Sequence, residues 1–240
     1  LQFARLAESF DEQSVLDFSP ASMGARQVAL RNLIPASFLR PRFAAARSAV
    51  CFSGTLSPFE FYRDTLGLPA DTAMVDIDSP FCASQLQVRL ARDLSTRLQD
   101  RPQSLAGLVQ VMATQFEQRP GNYLAFFSSF EYMEMASAAL SRHQPDIALW
   151  SQKRSMAADE RAEFVARFEP GGRGIGFAVL GGIFGEGVDL PGTRLVGAFV
   201  ATLGLPQHDA LNERMRQRMQ ERFGDGYAYT YLYPGIRKVV

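Results

Sequence analysis

A glycine-rich loop between two apolar runs is the feature that most constrains how this chain folds. Residues 175–180 are apolar apart from Gly176, and the segment 181–192, here called the glycine loop, contains five glycines. A second, mainly apolar run follows at 194–202. Short apolar runs bounded by glycine and proline are typical of strands buried on both faces, as in parallel α/β sheets. The pattern therefore predicts a strand, a loop and a second strand.

Ligand chemistry is expected in the glycine loop because the ligands of open α/β sheets gather at the carboxyl ends of the strands. Glycines let the backbone approach a ligand closely, and Glu186 and Asp189 add two carboxylates. Such acids can hold a ribose, a metal-bound water or an arginine. A tight turn with two solvated acids explains the same residues, since a glycine-rich loop alone is a weak signal.

The composition is that of an ordinary globular protein, with 47% hydrophobic and 21% charged residues among 240. Apolar runs are shorter than the roughly 18 residues of a membrane span, and the first residues lack the basic start and apolar core of a signal peptide. We therefore expect a cytoplasmic protein without a membrane partner. The 25 basic and 25 acidic residues give zero net charge, so nucleic-acid binding would depend on a local patch.

The cysteine content excludes two structural classes. Cys51 and Cys82 lie far apart, and the chain has two histidines. Neither a disulfide framework nor a four-ligand metal site can be built from so few ligands. We expect both cysteines to be buried as small apolar side chains, and we predict no metal site.

Apolar spacing, together with glycine and proline, predicts the remaining elements. A helical lead-in is expected over residues 1–46. Strands are predicted at 48–53, 86–90, 123–127 and 147–150. Helices are predicted at 58–66, from Ser104 to Arg119, at 157–168 and after Pro206. The last helix carries a stripe of arginines that either follows phosphates or, as is more usual, forms a solvated helix face. These arginines are Arg214, Arg218 and Arg222.

Two further blocks carry hydroxyl groups at strand-to-helix junctions. The block SGTLSP occupies residues 53–58, and the block NYLAFFSSFEY occupies residues 122–132. Ser128 and Glu131 stand at capping-box spacing, so one interpretation is a capped helix behind a core strand. Backbone N–H groups and hydroxyls at such a junction also bind phosphate.

The blocks at 53–58, 122–132 and 180–192 resemble, in identity, order and spacing, motifs of the second RecA-like motor domain of DinG and XPD-type superfamily 2 DNA helicases. Residues 122–132 resemble motif IV of that family, and residues 180–192 resemble motif V. The segment 94–101 resembles the family's Ser-Thr-Arg-aromatic-x-x-Arg segment, with Leu98 in place of the aromatic residue.

The resemblance implies an α/β fold with a RecA-like open, mainly parallel sheet and helices on both faces. This is the P-loop NTPase type of fold, here without its own P-loop. Residues 47–240 would form the second motor domain, ending before motif VI, and residues 1–46 would be a helical lead-in from the preceding domain. The Walker A and Walker B residues and the arginine finger, and with them the catalytic residues, would lie outside this chain.

The resemblance also implies ligands and partners. The family binds ATP and Mg²⁺ between two RecA-like halves and moves along single-stranded DNA in the 5′ to 3′ direction, in DNA repair or replication. The expected partners are therefore single-stranded DNA and the N-terminal motor domain of the same protein. An iron–sulfur cluster, found in many members, would belong to that first domain, and this chain alone would hold no cofactor.

Carried onto this sequence, the family's site residues divide into two groups. Those implied for the nucleotide side are Gly182, Glu186, Gly187 and Asp189. Those implied for the DNA side are Thr55, Ser128, Ser129 and Tyr132.

Two other functional classes explain parts of the sequence. A non-catalytic RecA-like module would bind a nucleotide, single-stranded DNA or a partner protein without turnover. A small-molecule α/β enzyme would need a catalytic base or nucleophile in the loops at the strand ends, and neither His143 nor His208 is predicted to lie there.

Overall fold

The computed structural model describes residues 4, 7–8, 10–20, 26–185 and 187–239. Within these ranges the strands are β1 (Ser14–Pro20), β2 (Arg26–Asn32), β3 (Asn122–Phe127), β4 (Ala148–Ser151), β5 (Gly174–Val179) and β6 (Gly197–Ala201). The helices are α1 (Ala36–Ala45), α2 (Phe59–Leu66), α3 (Arg101–Gln118), α4 (Phe130–His143), α5 (Ala158–Ala166), α6 (Ala210–Phe223) and α7 (Tyr233–Ile236).

The chain divides into two compact units. One consists of Leu1–Asp78 with Pro206–Arg237, and the other consists of Ser79–Leu205 with Lys238–Val240. We call them the hairpin unit and the sheet unit, after the strands that each contains.

Four strands of the sheet unit form an all-parallel sheet in the order β4, β5, β3, β6. At the end of β3, Phe127 lies opposite Val179 of β5 and Ala201 of β6. The carboxyl ends of these three strands therefore stand at one level. This parallel sheet confirms the predicted α/β class and the RecA-like, mainly parallel architecture.

Both faces of the sheet are covered by helices, as predicted. Alternate β3 residues supply the two apolar cores: Tyr123 and Phe127 pack with residues of α3 and α4, whereas Leu124 packs with residues of α5. This alternation follows from the two-residue repeat of a strand. Phe168, just after α5, is fully buried in the second core.

Two glycines in β5 make room for the indole of Trp150. A methyl group added at Gly174 would lie 2.5 Å from this ring, and one added at Gly176 would lie 2.9 Å from Nε1. The indole packs edge-on against Phe168, with 4.8 Å between ring centroids. Both glycines are therefore required by close packing.

The hairpin unit is built on the antiparallel pair β1 and β2, in which Leu16 lies opposite Leu30. Its apolar core joins Ile34 and Met219 to the segment after α6. In that segment the Tyr229 hydroxyl donates a 2.6 Å hydrogen bond to Asp64 Oδ2. Burial, followed by this bond to a carboxylate, raises the pKa of Tyr229.

The structure corrects three secondary-structure predictions. Residues 14–32 were expected to be helical but contain both strands of the hairpin. Val28 and Leu30 stand two residues apart, which suits a strand better than a helix. Residues 48–53 and 86–90 were predicted as strands but belong to neither sheet. The domain boundary at residue 47 is untested and remains a prediction.

The segments 48–53 and 86–90 have the apolar pattern of strands, but they pair with no strand among the residues that the structure describes. Val50 and Phe52 are 82% and 90% exposed, and Leu86 and Leu90 are 73% and 82% exposed. Pattern alone makes a strand only where a neighbouring edge can accept its hydrogen bonds. The same exposure overturns the expectation for the cysteines, because Cys51 and Cys82, in or beside these stretches, are both exposed.

No helix among the described residues is long and apolar enough to cross a membrane.

The start of β3 depends on one buried amide, and this contact yields a stability prediction. Asn122 is 1% exposed, and its Nδ2 donates a 2.7 Å hydrogen bond to the carbonyl oxygen of Glu169. Asn122→Ala should lower the free energy of unfolding by about 1–3 kcal/mol, because it removes a hydrogen bond made by a buried side chain and leaves the space of its amide empty. The matched control is Gln103→Ala, at an exposed position of α3, for which a change within about 0.5 kcal/mol is expected. Urea unfolding of the chain measures both, and equal effects would contradict the assignment.

Candidate functional site

The carboxyl edge of the parallel sheet collects most of the predicted site residues. Ser128 follows β3, Gln152 follows β4, the glycine loop follows β5, and Thr202 follows β6. The Leu180 N–H donates a 2.8 Å hydrogen bond to the Phe127 carbonyl oxygen, so the ladder continues to the start of the loop. Ser128, Ser129 and Gly182 are thus brought to one edge of one sheet.

The two serines after β3 have different tasks. Ser129 is the N-cap of α4, and its Oγ accepts a 3.3 Å hydrogen bond from the Tyr132 N–H. The capping-box prediction, which gave this place to Ser128, is therefore wrong by one residue. Ser128 is exposed, and its hydroxyl is available for other contacts.

The first residue of α3, Arg101, contacts this junction. Its terminal nitrogen donates a 2.8 Å hydrogen bond to Ser128 Oγ, and its guanidinium lies 4.5 Å above the centre of the Tyr132 ring. Tyr132 is 1% exposed. Burial raises the pKa of its hydroxyl, and the charge of Arg101 opposes that shift. The buried ring offers no free face to a nucleobase, so its place is that of a support beneath Arg101.

The start of the glycine loop is a tight turn anchored by an aromatic side chain. Gly181 has a φ of +74°, and the N–H of Gly182 donates to the Val179 carbonyl oxygen at 3.0 Å. Phe184 is 3% exposed and stacks on Phe164 of α5, with 4.0 Å between ring centroids. The first half of the loop is therefore fixed to the second apolar core.

Gln152, which sequence reasoning missed, ties the end of β4 to this turn. Its backbone N–H donates to the Phe177 carbonyl oxygen at 2.8 Å, and its Oε1 accepts a 3.0 Å hydrogen bond from the Val179 N–H. Gln152 is 7% exposed. A methyl group added at Gly182 would lie 2.9 Å from the Val179 carbonyl oxygen and 3.3 Å from Gln152 Nε2, so this position has no room for a side chain.

The second half of the glycine loop is only partly open, because Val188 and Leu190 pack against the second apolar core. Gly187 has a φ of +75°, and nothing lies within 4 Å of the place where its side chain would be. Asp189 is exposed, and no hydrogen bond joins its carboxylate to another described residue. Glu186 lies outside the described residues. The open part thus presents backbone and a free carboxylate.

A lysine that the sequence analysis passed over lies beside the start of this loop. Lys238 Nζ donates a 3.1 Å hydrogen bond to the Gly204 carbonyl oxygen, after β6. A methyl group added at Gly181 would lie 3.4 Å from Lys238 Cδ. Lys238 is exposed, so its ammonium group adds a positive charge at the carboxyl edge.

These groups suit one side of a nucleotide. An ammonium group and closely approaching backbone N–H groups can bind phosphates. An exposed carboxylate can bind a ribose hydroxyl or a water molecule of Mg²⁺. Lys238, Gly182, Gly187 and Asp189 would provide these contacts. A phosphate loop of the Gly-Lys-Ser/Thr kind occurs nowhere in the sequence, so the phosphate cradle would have to come from another domain.

Thr55 belongs to the hairpin unit and is described there on its own. Its hydroxyl lies 3.3 Å from Ser53 Oγ, and its carbonyl oxygen accepts a 2.7 Å hydrogen bond from Tyr62. The SGTLSP block is thus a hydroxyl-rich turn that precedes α2.

Comparison with known proteins gives three findings. The model of the family described as the helicase C-terminal domain matches residues 112–240. A protein from Methanocaldococcus jannaschii, named as a probable ATP-dependent helicase, is 27% identical over an alignment of 181 residues that covers 71% of this chain and 26% of that protein. Two solved structures, named XPD helicase and XPD apo, superpose with TM-scores of 0.68 and 0.67 at 15% identity.

These matches differ in how much of each protein they cover. The alignments with the two XPD structures include 99% and 98% of this chain, but 42% and 48% of the XPD chains. The chain therefore spans about a quarter of the curated relative and less than half of the solved structures that it resembles. At this identity the two structures show a shared fold.

The stability of the chain should respond differently to mutation of Gln152, which anchors the start of the glycine loop, and of Asp189 in its second half. Gln152→Ala should lower the free energy of unfolding by about 1–3 kcal/mol, because it leaves the partly buried Val179 N–H without an acceptor. Asp189→Ala, at an exposed carboxylate, should change it by no more than about 0.5 kcal/mol. Urea titrations followed by circular dichroism compare the two variants. A large loss of stability in Asp189→Ala would mean that the carboxylate is a structural cap.

Proposed function

The chain belongs to the helicase C-terminal domain family, which confirms the resemblance drawn from its motifs, and we propose that it works as the second motor half of an ATP-dependent DNA helicase. In this proposal the longer protein moves along single-stranded DNA in the 5′ to 3′ direction. Because this chain covers only a part of its relatives, the activity is assigned to a protein that also supplies a first motor domain.

One observation supports this function most directly. The aligned carboxyl ends of β3 and β5 place a hydroxyl and arginine cluster and the glycine loop at the same edge of a rigid sheet. Open α/β sheets bind ligands at this edge. The proposed DNA surface follows β3 and the proposed nucleotide surface follows β5, and these two strands are hydrogen-bonded neighbours. This arrangement suits a motor, because movement at the end of one strand would be transmitted to the other.

The proposed division of labour follows the local chemistry. Ser128 and Ser129, with Thr55 in the hairpin unit, would face the sugar-phosphate backbone of DNA through hydroxyl and N–H groups. Gly182, Gly187, Asp189 and Glu186 would face the nucleotide. The N-terminal motor domain of the same protein would supply the phosphate loop and the Mg²⁺-binding acid.

Further features stay within the proposal. A role in DNA repair or replication, a place in the cytoplasm, and an iron–sulfur cluster in the first motor domain all follow from the family resemblance. None of the described residues is assigned to them.

The second candidate is a RecA-like module that binds single-stranded DNA or a nucleotide without turnover. The sequence favours it in one respect, because it contains no phosphate loop of its own. The candidates share the DNA-binding edge and differ in whether a first motor domain completes the ATP site.

Single-stranded DNA binding tests the proposed DNA edge. The chain should bind a fluorescein-labelled oligothymidylate weakly and with a shallow salt dependence, because few phosphates are contacted. The double variant Ser128→Glu and Ser129→Asp should abolish this binding by charge repulsion. Aspartate is as good an N-cap as serine, so α4 should remain capped. Fluorescence anisotropy measures the affinity, and circular dichroism checks the fold.

The arginine stripe of α6 provides the control for that experiment. Arg218 already pairs with Glu221 at 2.9 Å, as expected for a solvated helix face. Replacing Arg214, Arg218 and Arg222 with glutamine should leave DNA affinity largely unchanged, because the proposed DNA contacts do not include this helix. If binding survives the serine changes and disappears with the arginine changes, the DNA path lies on α6 and the proposed edge is wrong.

ATP hydrolysis tests the half-motor assignment. The purified 240-residue chain should release no phosphate from ATP above background, with or without single-stranded DNA, because the groups that cradle the β and γ phosphates are not in its sequence. A coupled phosphate-release assay at saturating Mg²⁺ measures this. Clear DNA-stimulated release by the chain alone would contradict the assignment.

A further inference from the structure

Arg101 is held in one position by three neutral contacts. Its Nε donates a 3.2 Å hydrogen bond to the Thr96 carbonyl oxygen, and its terminal nitrogen donates to Ser128 Oγ at 2.8 Å. The guanidinium also lies over the face of the buried Tyr132 ring. A planar guanidinium fixed at Nε, at one terminal nitrogen and on one face loses little further side-chain entropy when it binds a ligand.

The charge of Arg101 is not matched by a carboxylate. None of the ion pairs between described residues includes Arg101. Its neighbour Asp100 accepts a 2.6 Å hydrogen bond from the Ser95 hydroxyl at Oδ2. Arg216 and Arg218, in contrast, each bind a glutamate at 2.9 Å. Arg101 thus combines a fixed geometry with an unneutralised charge, which is the arrangement that binds an anion.

Ser128 adds a second donor to the same place. Its oxygen accepts from Arg101, so the hydroxyl proton is free to donate to another group. The side chain is exposed at the end of β3. A guanidinium and a hydroxyl in contact match a phosphate, whose oxygens accept from both.

We propose that Arg101 binds a backbone phosphate of single-stranded DNA together with the Ser128 hydroxyl, and that Tyr132 acts as the positioning residue beneath the guanidinium. This inference rests on the proposed function and names the cation of its DNA edge. The DNA backbone is favoured over a nucleotide because Arg101 contacts Ser128 at the end of β3, whereas the glycine loop follows β5. Arg101 also provides the local positive charge that a chain of zero net charge needs at this edge.

The decisive experiment compares two arginine replacements in the same segment. Arg101→Gln should weaken binding of a fluorescein-labelled oligothymidylate by about tenfold, the loss expected for one charge-assisted hydrogen bond. It should also reduce the slope of log affinity against log salt by about 0.7, the value for one phosphate on a single strand. Arg97→Gln removes the same charge from an exposed side chain four residues earlier and should leave both quantities unchanged.

The outcomes separate this inference from the proposed function. If the parent chain does not bind the oligonucleotide, the DNA function itself fails. If the parent binds and Arg101→Gln behaves like Arg97→Gln, the function stands and the inference is overturned. A lower melting temperature with an unchanged salt slope would make Arg101 a purely structural link, which also overturns the inference. Arg101→Lys keeps the charge without the planar fork, so its affinity should lie between those of the parent and Arg101→Gln.

Two further arms cover the alternatives. If Arg101→Gln does not fold, Ser128→Ala takes its place, because it removes one donor and leaves the Thr96 and Tyr132 contacts intact. Affinity equal to that of the parent would then overturn the proposal. A fluorescent ATP analogue with Mg²⁺ tests the other source of phosphate. Loss of analogue binding in Arg101→Gln, with oligonucleotide binding retained, would assign the site to a nucleotide and overturn the proposal.

Discussion

The parallel register of β3, β5 and β6 is the constraint on which the rest of the sheet unit depends. It fixes which β3 side chains enter which core, because a shift of one residue would exchange the two faces. Tyr123 and Phe127 would then leave the core beneath α3 and α4, and Leu124 would enter it. The same register brings the strand ends to one level, so the candidate ligand-binding edge is a by-product of core packing.

Glycine serves two physical purposes within a short stretch of this chain. In β5, Gly174 and Gly176 are needed because Trp150 occupies the space that their side chains would fill. At Gly181 and Gly187 the need is conformational, since both have φ near +75°. The first pair lets the strand pack closely against its neighbour, and the second pair supplies left-handed backbone conformations that other residues rarely adopt. Gln152 joins these regions, because its amide oxygen accepts from the last residue of β5.

The sequence was sufficient to predict those strands whose apolar pattern is matched by a neighbouring strand in the folded sheet. Residues 123–127 and 175–180 are continuous apolar runs between turn residues, and both form central strands of the sheet. The run at 86–90 alternates apolar and polar residues, which is also a strand pattern, yet it forms no strand. Strand formation also requires a free neighbouring edge, which is a property of the assembled sheet and is not encoded in any single segment. The helical prediction for residues 14–32 was wrong for the opposite reason. These residues find a strand partner nearby in the sequence, and their apolar spacing supported a helix only weakly.

The residues of the candidate site also divide into those that could be predicted from the sequence and those that could not. Ser128, Ser129 and Gly182 could be found because they directly follow apolar strands, and strand ends align in a parallel sheet. Arg101 could not be found by this argument, since its contact with Ser128 joins residues 27 positions apart. Its only signal was the segment 94–101, which resembled a family segment of unassigned role. Counting arginines would have selected the stripe on α6, where Arg218 is neutralised by Glu221. In a chain of zero net charge, an anion site is better indicated by an arginine held on neutral partners than by a row of arginines, because the former combines an unneutralised charge with a fixed geometry.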